Sequence, residues 1–191
     1  MTINAEATLE AWLAAEAAQR ERHAAHAAPI APEQLAAMDG LAVFQAMLRG
    51  ELPFAPIGRT LDFLLVEVDH GRAVFQGAPG PGHLNPLGSV HGGWFATLLD
   101  SALGCAVHSA LPAGKGYTTL ELKVNMIRAL TPKVPRVRAE GRVIHVGGQT
   151  ATAEARLIGH DGKLYAHGST TCLVFDARGA ASARARPQSP A

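Results

Sequence analysis

The chain has 191 residues, 48% of them apolar and 17% charged, with a formal net charge of +1. That suits one domain with a substantial core and excludes a chain disordered throughout. Seventeen Lys and Arg against sixteen Asp and Glu give no bulk attraction to nucleic acid or to an anionic membrane surface. No uncharged run is long and unbroken enough to cross a bilayer, and the acidic start (Glu6, Glu10, Glu16) lacks the apolar stretch of a secretory signal, so a cytoplasmic protein is expected. The two cysteines, Cys105 and Cys172, sit in apolar runs and read as buried free thiols.

Residues 5–28 are rich in Ala, Glu, Arg and Gln, which predicts a helix. Its only large apolar groups are Leu9, Trp12 and Leu13, so the helix should lie on the periphery of something else. A second helix is predicted over 32–48, opened by Pro32 and carried by Leu35, Met38, Leu41, Phe44 and Leu48. Alternation over 61–68 and 72–77 predicts two strands turning at Asp69-His70-Gly71. A loop rich in Gly and Pro spans 78–88. Residues 91–111 then read as a helix apolar nearly all round, hence buried. Four strands follow, over 118–127, 134–146, 149–158 and 163–175, and the tail from 176 onward reads as frayed. One buried helix between a hairpin and a run of antiparallel strands needs a sheet curled around it, an α+β layout.

Asp100 is the only Asp, Glu, Lys or Arg between Arg72 and Lys115, and it stands mid-helix among Leu98, Leu99, Ala102 and Leu103. Burying that charge costs several kcal/mol unless it is paired or hydrogen-bonded, which marks a candidate functional site. At the start of the same helix, Gly92 and Gly93 leave backbone N–H groups open to a ligand oxygen at the positive end of the helix dipole. Gly92 and Asp100 are eight residues apart, roughly 12 Å at about 1.5 Å per residue. One reacting carbonyl reaches both only when two such helices run antiparallel across a twofold axis, so a catalytic role for both requires a dimer or larger.

The pattern Asn85-x5-His91-Gly92-Gly93-x6-Asp100 is followed by Thr118-Thr119-Leu120-x-Leu122-x-Val124-Asn125-Met126-x-Arg128, by Ala139-Glu140-Gly141-Arg142-Val143 and by Gly162-Lys163-Leu164-x-Ala166-His167-Gly168. In this order the motifs resemble the hotdog-fold acyl-coenzyme A thioesterases, in particular the phenylacetate-degradation branch, over residues 56–175. The resemblance implies a hotdog fold: a curved antiparallel sheet wrapped around one long central helix over 56–176, here with an N-terminal helical extension (1–55) and a tail (177–191). It also implies a homodimer, often a homotetramer. By the same resemblance, Asp100 acts as general base or as nucleophile, and the Gly92 amide polarises the thioester carbonyl with help from Asn85. His91 orients the site near the sulfur. Thr119, with Thr118 as the alternative, positions water with the acid. Strict alternation, however, puts Thr119 with Glu121 and Lys123, away from the Leu120/Leu122 face.

Thioester hydrolysis needs a base, a placed water and an oxyanion site, and no metal or cofactor beyond the coenzyme A of the substrate. The phosphates of coenzyme A call for local cations or bare backbone. The candidates are Arg128, Lys133 and Arg136 near one strand-to-strand turn, and His145, Gly147 and Gly148 at another. The nine histidines are scattered without a metal-ligand spacing, and there is no nucleophile elbow, phosphate-binding loop or dinucleotide fingerprint. The expected activity is acyl-coenzyme A hydrolysis, with the acyl group beside Trp94, Phe95 and Leu98. The alternatives are a hotdog dehydratase or hydratase, against which the His-Gly-Gly-x6-Asp order argues, and a non-catalytic acyl-coenzyme A-binding module.

Overall fold

The alternating second half of the chain builds one sheet. In the computed structural model, which describes residues 4–23 and 31–177, six antiparallel strands run in the order β1-β2-β4-β5-β6-β3. They are β1 (Phe63–Asp69), β2 (Arg72–Gly77), β3 (Lys115–Met126), β4 (Val137–Val146), β5 (Thr150–Gly159) and β6 (Leu164–Asp176). Before them come the helices α1 (Ala5–His23), α2 (Pro32–Ala36), α3 (Gly40–Leu48) and α4 (Pro56–Thr60), and α5 (Gly92–Ser109) separates β2 from β3. The predicted helical residues 24–28 and the tail from 178 lie outside the described residues. No helix of the described residues is long and apolar enough to cross a membrane.

Every strand of the sheet meets α5, so the sheet curls around that helix. Leu98, Leu99, Ala102, Leu103, Ala106 and Val107 are wholly buried there, against Ala73, Ala139, Ala153, Leu157 and Cys172 of the strands. The small strand residues are what let a helix approach a sheet this closely. At the far end, the Ser109 hydroxyl accepts from Gly71 N at 2.9 Å and donates to the Asp69 carbonyl at 3.0 Å, tying the β1–β2 turn to the end of α5.

The single helix predicted over 32–48 is two. Asp39 leaves the helical conformation and caps α3, its carboxylate accepting from Ala42 N at 2.8 Å. The core contacts lie in α3, where Phe44 is set edge-on against His108 of α5 and Leu41, Met47 and Leu48 pack against the same core.

The N-terminal helix does lie on something else: the face of β1, β2 and β4 turned away from α5. There Gln76 is wholly buried and donates to the Trp12 carbonyl (3.0 Å) and to Glu16 Oε2 (2.7 Å), while accepting from Arg138 Nε (2.9 Å). Glu16 also receives Arg136 Nε at 2.5 Å and Arg20 Nε at 2.9 Å, and the Arg138 guanidinium lies 4.6 Å from the Trp12 ring centre. Burial pushes the Glu16 carboxyl up, but the hydrogen bonds from Arg136, Gln76 and Arg20 outweigh it and hold the group below its ordinary value.

A carboxyl held low in the folded state stabilises fully above its ordinary value of 4.5, and that contribution fades as pH falls through the lowered value. Glu16→Ala should therefore cost about 2 kcal/mol at neutral pH, since it leaves the part-buried Arg136 guanidinium and the buried Gln76 amide without their acceptor. The gap from wild type in urea unfolding should close as the solution is taken well below pH 4.5. In hydrogen exchange, the loss should concentrate in the amides of α1.

Candidate active site

The helix α5 is not buried on all sides. Leu98, Leu99, Ala102 and Leu103 face the sheet, while Ala96, Thr97, Asp100, Ser101, Cys105 and His108 form a half-exposed stripe along the other side. Asp100 belongs to that stripe, half-buried rather than enclosed. Its Oδ1 accepts from Thr119 Oγ1 at 3.0 Å, and Oδ2 has no hydrogen bond among the described residues.

Strict alternation turned Thr119 away from the helix, and a β-bulge is why it does not. Across β3 and β6, Thr119 pairs with Cys172 and Glu121 with Thr171, so Leu120 is an extra residue in the strand. Before it, Tyr117 and Thr119 face α5. After it, Leu122 and Val124 do, packed against the core, while Leu120 is 60% exposed. One inserted residue thus puts the Thr119 hydroxyl and the Leu122/Val124 pair on the same side.

At the other end of the helix, His91 is the N-cap: its Nδ1 accepts from Gly93 N at 2.9 Å, which leaves the ring proton on Nε2. Gly93 N is therefore occupied, Trp94 N donates to the His91 carbonyl, and the Gly92 amide has no partner among the described residues. Asn85 organises the preceding loop. Its Oδ1 accepts from Leu87 N (2.9 Å) and Ser89 N (3.3 Å), and its Nδ2 donates to Ser89 Oγ (2.8 Å). Asn85, Gly92, Phe95, Met126 and Arg128 share an open cavity of about 250 Å³. Of the side chains expected beside the acyl group, only Phe95 reaches this cavity; Trp94 and Leu98 belong to the core.

A family model for the thioesterase superfamily matches residues 87–166. The solved structure of a phenylacetic acid degradation-related protein from Ralstonia eutropha JMP134 is 30% identical, covers 68% of this chain and 98% of its own, and superposes with a TM-score of 0.62. This chain belongs to the thioesterase superfamily. A variant of the phenylacetic acid degradation protein PaaI from Thermus thermophilus is 26% identical over 62% of this chain and 98% of its own, with a TM-score of 0.56. A Halobacterium salinarum protein named as an inferred esterase is 38% identical over 81 residues, 41% of this chain. The chain spans about half, 49%, of that curated relative's length. The architecture is the hotdog fold that the motifs implied.

On this superfamily scaffold the phosphate candidates separate. Arg128 lines the cavity and, like Lys133, is exposed beyond the end of β3. Arg136 stands nearby in sequence but its guanidinium is held by Glu16 and by the Pro135 carbonyl (2.7 Å), so it is not free to meet a phosphate. His145 near the end of β4, and Gly147 and Gly148 in the β4–β5 turn, stand at the opposite end of β4 from Arg136, roughly 30 Å away at about 3.3 Å per residue. Within one chain they do not join Arg128 in one site.

Sequence reasoning read Cys105, just past Asp100, as a core residue and passed over Tyr117 and Gly104 beside it. A Cβ on Gly104 would stand 2.5 Å from the Tyr117 hydroxyl, so the tyrosine ring crosses the helix only because that position has no side chain. Tyr117 bonds to Cys105, one turn along the stripe from Asp100. Burial first, and then the nearby Asp100 charge, push the Cys105 thiol up to about 12, and Tyr117 is raised for the same reasons. The signal was Gly104 itself, a glycine inside a helix with no turn to make.

Starting from an ordinary 9.0, that shift lowers the thiolate fraction near neutral pH about a thousandfold. Cys105 should accordingly resist iodoacetamide in the native protein and react at an ordinary rate once urea unfolds it, read by peptide mass spectrometry.

Proposed function

We propose that this protein hydrolyses acyl-coenzyme A thioesters as a twofold dimer, with Asp100 of one subunit and Gly92 of the other completing each site. The observation that carries this reading is the Thr119–Asp100 hydrogen bond, which leaves one carboxylate oxygen and one hydroxyl lone pair to hold a water. Asp100 takes a proton from that water as the oxygen attacks the carbonyl carbon. The Gly92 N–H, unpartnered and at the positive end of α5, receives the oxyanion. Collapse of the tetrahedral intermediate breaks the carbon–sulfur bond, coenzyme A leaves as a thiolate, and the proton taken up by Asp100 passes to that sulfur, which frees the carboxylate for the next turnover. Asn85 and His91 hold the loop and helix cap that aim the Gly92 amide. Arg128, which lines the cavity, and the exposed Lys133 would meet the phosphates of the coenzyme.

Geometry favours the dimer. Gly92 and Asp100 are locked on one helix, roughly 12 Å apart, too far for one carbonyl to touch both. The strand β3 is a twelve-residue sheet edge with no partner on one side among the described residues, and Leu120, Met126 and Ile127 on or beside it are exposed apolar groups. An edge this long invites pairing. Antiparallel pairing of β3 with its twofold copy, centred between Leu122 and Lys123, brings the Gly92 end of one helix to the Asp100 of the other.

In the second version of the chemistry, Asp100 attacks the carbonyl itself and the anhydride is then hydrolysed. A single turnover in heavy-oxygen water separates the two, since only the anhydride route deposits label in Asp100. A non-catalytic acyl-coenzyme A-binding role predicts equal thiol release from wild type, Asp100→Ala and Asp100→Asn.

Asp100→Asn should lower kcat by at least about a hundredfold with little change in KM, and Thr119→Val by about tenfold. Gly92→Pro deletes the amide at a helix position that tolerates proline and should cost about a hundredfold or more. Coexpressing Asp100→Asn with Gly92→Pro should restore about a quarter of the wild-type rate, because half of a random mixture is heterodimer and each heterodimer has one intact site. A site built within one subunit gives no restoration.

A further inference from the structure

Met126 is the last residue of β3, on the helix-facing side that the bulge at Leu120 sets for Leu122 and Val124. Those two pack against the core; Met126 runs past it and is 53% exposed. Its methyl end stands on Gly92, where an added Cβ would meet Met126 Cε at 2.7 Å and Sδ at 3.1 Å. Both residues line the cavity that also holds Asn85 and Phe95. The start of α5, where the Gly92 amide has no partner among the described residues, thus has one flexible thioether packed beside it.

We propose that Met126 is the specificity-determining residue of the thioester site, setting how much bulk the acyl carbon next to the carbonyl is allowed. The inference rests on the thioesterase reading above. A carbonyl oxygen within about 3 Å of the Gly92 amide places the carbonyl carbon and both of its substituents against the Met126 side chain. One substituent is the thioester sulfur, which carries the same methylene in every acyl-coenzyme A. The other is the acyl carbon, which differs between substrates, so contact with Met126 discriminates on that side alone. An unbranched thioether with three rotatable bonds yields to a straight chain and fills the room that a branch would take. Nothing in the core depends on its staying in one rotamer, since it is not part of the core.

The test uses the full-length protein and pairs of acyl-coenzyme A substrates of short, medium, long and arylacetyl type, each pair differing by one methyl on the carbon next to the carbonyl. The readout is the ratio of kcat/KM, unbranched over branched, for the best-hydrolysed pair. Met126→Ala should lower that ratio at least about fivefold, and Met126→Phe should raise it by at least as much, the range that one methyl group commands in an apolar pocket. A loss of rate shared by both members of a pair leaves the ratio unmoved, so general damage does not imitate the effect. Hydrolysis with a ratio within about twofold of wild type in both variants overturns the assignment of Met126 and leaves the thioesterase reading standing. Failure of the wild type to hydrolyse any member of the panel overturns that reading, and this assignment with it.

Discussion

A straight helix holds its residues at fixed separations, and that rigidity governs how this protein is read. Asp100 and the Gly92 amide both keep hydrogen-bonding capacity towards a ligand, and α5 fixes them more than two turns apart. No side-chain motion closes that gap. The loops around the start of the helix are equally committed: His91 caps Gly93, Asn85 gathers Leu87 and Ser89, and Val90 N donates to the Leu130 carbonyl at 2.9 Å. The helix start and the end of β3 are therefore one rigid corner, and the acid stands at another. A reaction that uses both has to be assembled from two chains, and the unpaired edge of β3 lies between the two corners.

The N-terminal helix serves a different part of the sheet. Leu64, Val66 and Val74, with Phe54, form a second small core on the face away from α5. The polar layer that joins α1 to that face is fully connected: Glu16 accepts four hydrogen bonds from three residues, Gln76 uses both ends of its amide, and Arg138 bonds Glu67 at 2.6 Å while lying over Trp12. A network with every member satisfied holds one arrangement, whereas a partly satisfied one is worse than an apolar patch. This layer covers β1, β2 and β4 and leaves the β3 edge clear, so the extension and the proposed dimer contact do not compete for the same surface.

Much of this was legible in the residues, and the parts that were not have physical reasons. Asp100 stood out because it is the lone charge across an otherwise apolar stretch, and burial energetics single such a residue out without any knowledge of its neighbours. Thr119 was placed by motif but contradicted by alternation, because a bulge such as the one at Leu120 leaves no periodic trace: it shifts the phase of a pattern by one residue and the two halves still alternate. Arg136 looked like a phosphate ligand because an arginine in a sequence does not announce its partner, and Glu16 lies 120 residues upstream. Asp39-Gly40 carried the cap that divides α2 from α3, yet the apolar spacing on either side masked it. The helix α5 read as buried nearly all round because, Asp100 apart, its half-exposed stripe is made of Ala, Thr, Ser, Cys and His, which polarity patterns barely register.

That stripe also explains why the acid stands where it does. A carboxylate wholly inside the sheet would have lost several kcal/mol of hydration with only one hydroxyl to replace it. On the stripe, Asp100 keeps partial access to solvent in the single chain, while Thr119 fixes one oxygen and Cys105 and Tyr117 fill the space behind. In the proposed dimer the second subunit closes over this side, so the removal of water from the carboxylate and the arrival of the Gly92 amide become one event. The apolar area buried along β3 then offsets part of that desolvation in the same step that completes the oxyanion site. Folding of the single chain is thereby spared the cost of a dry, unpaired acid, and the reactive arrangement exists only where a thioester has both halves to bind.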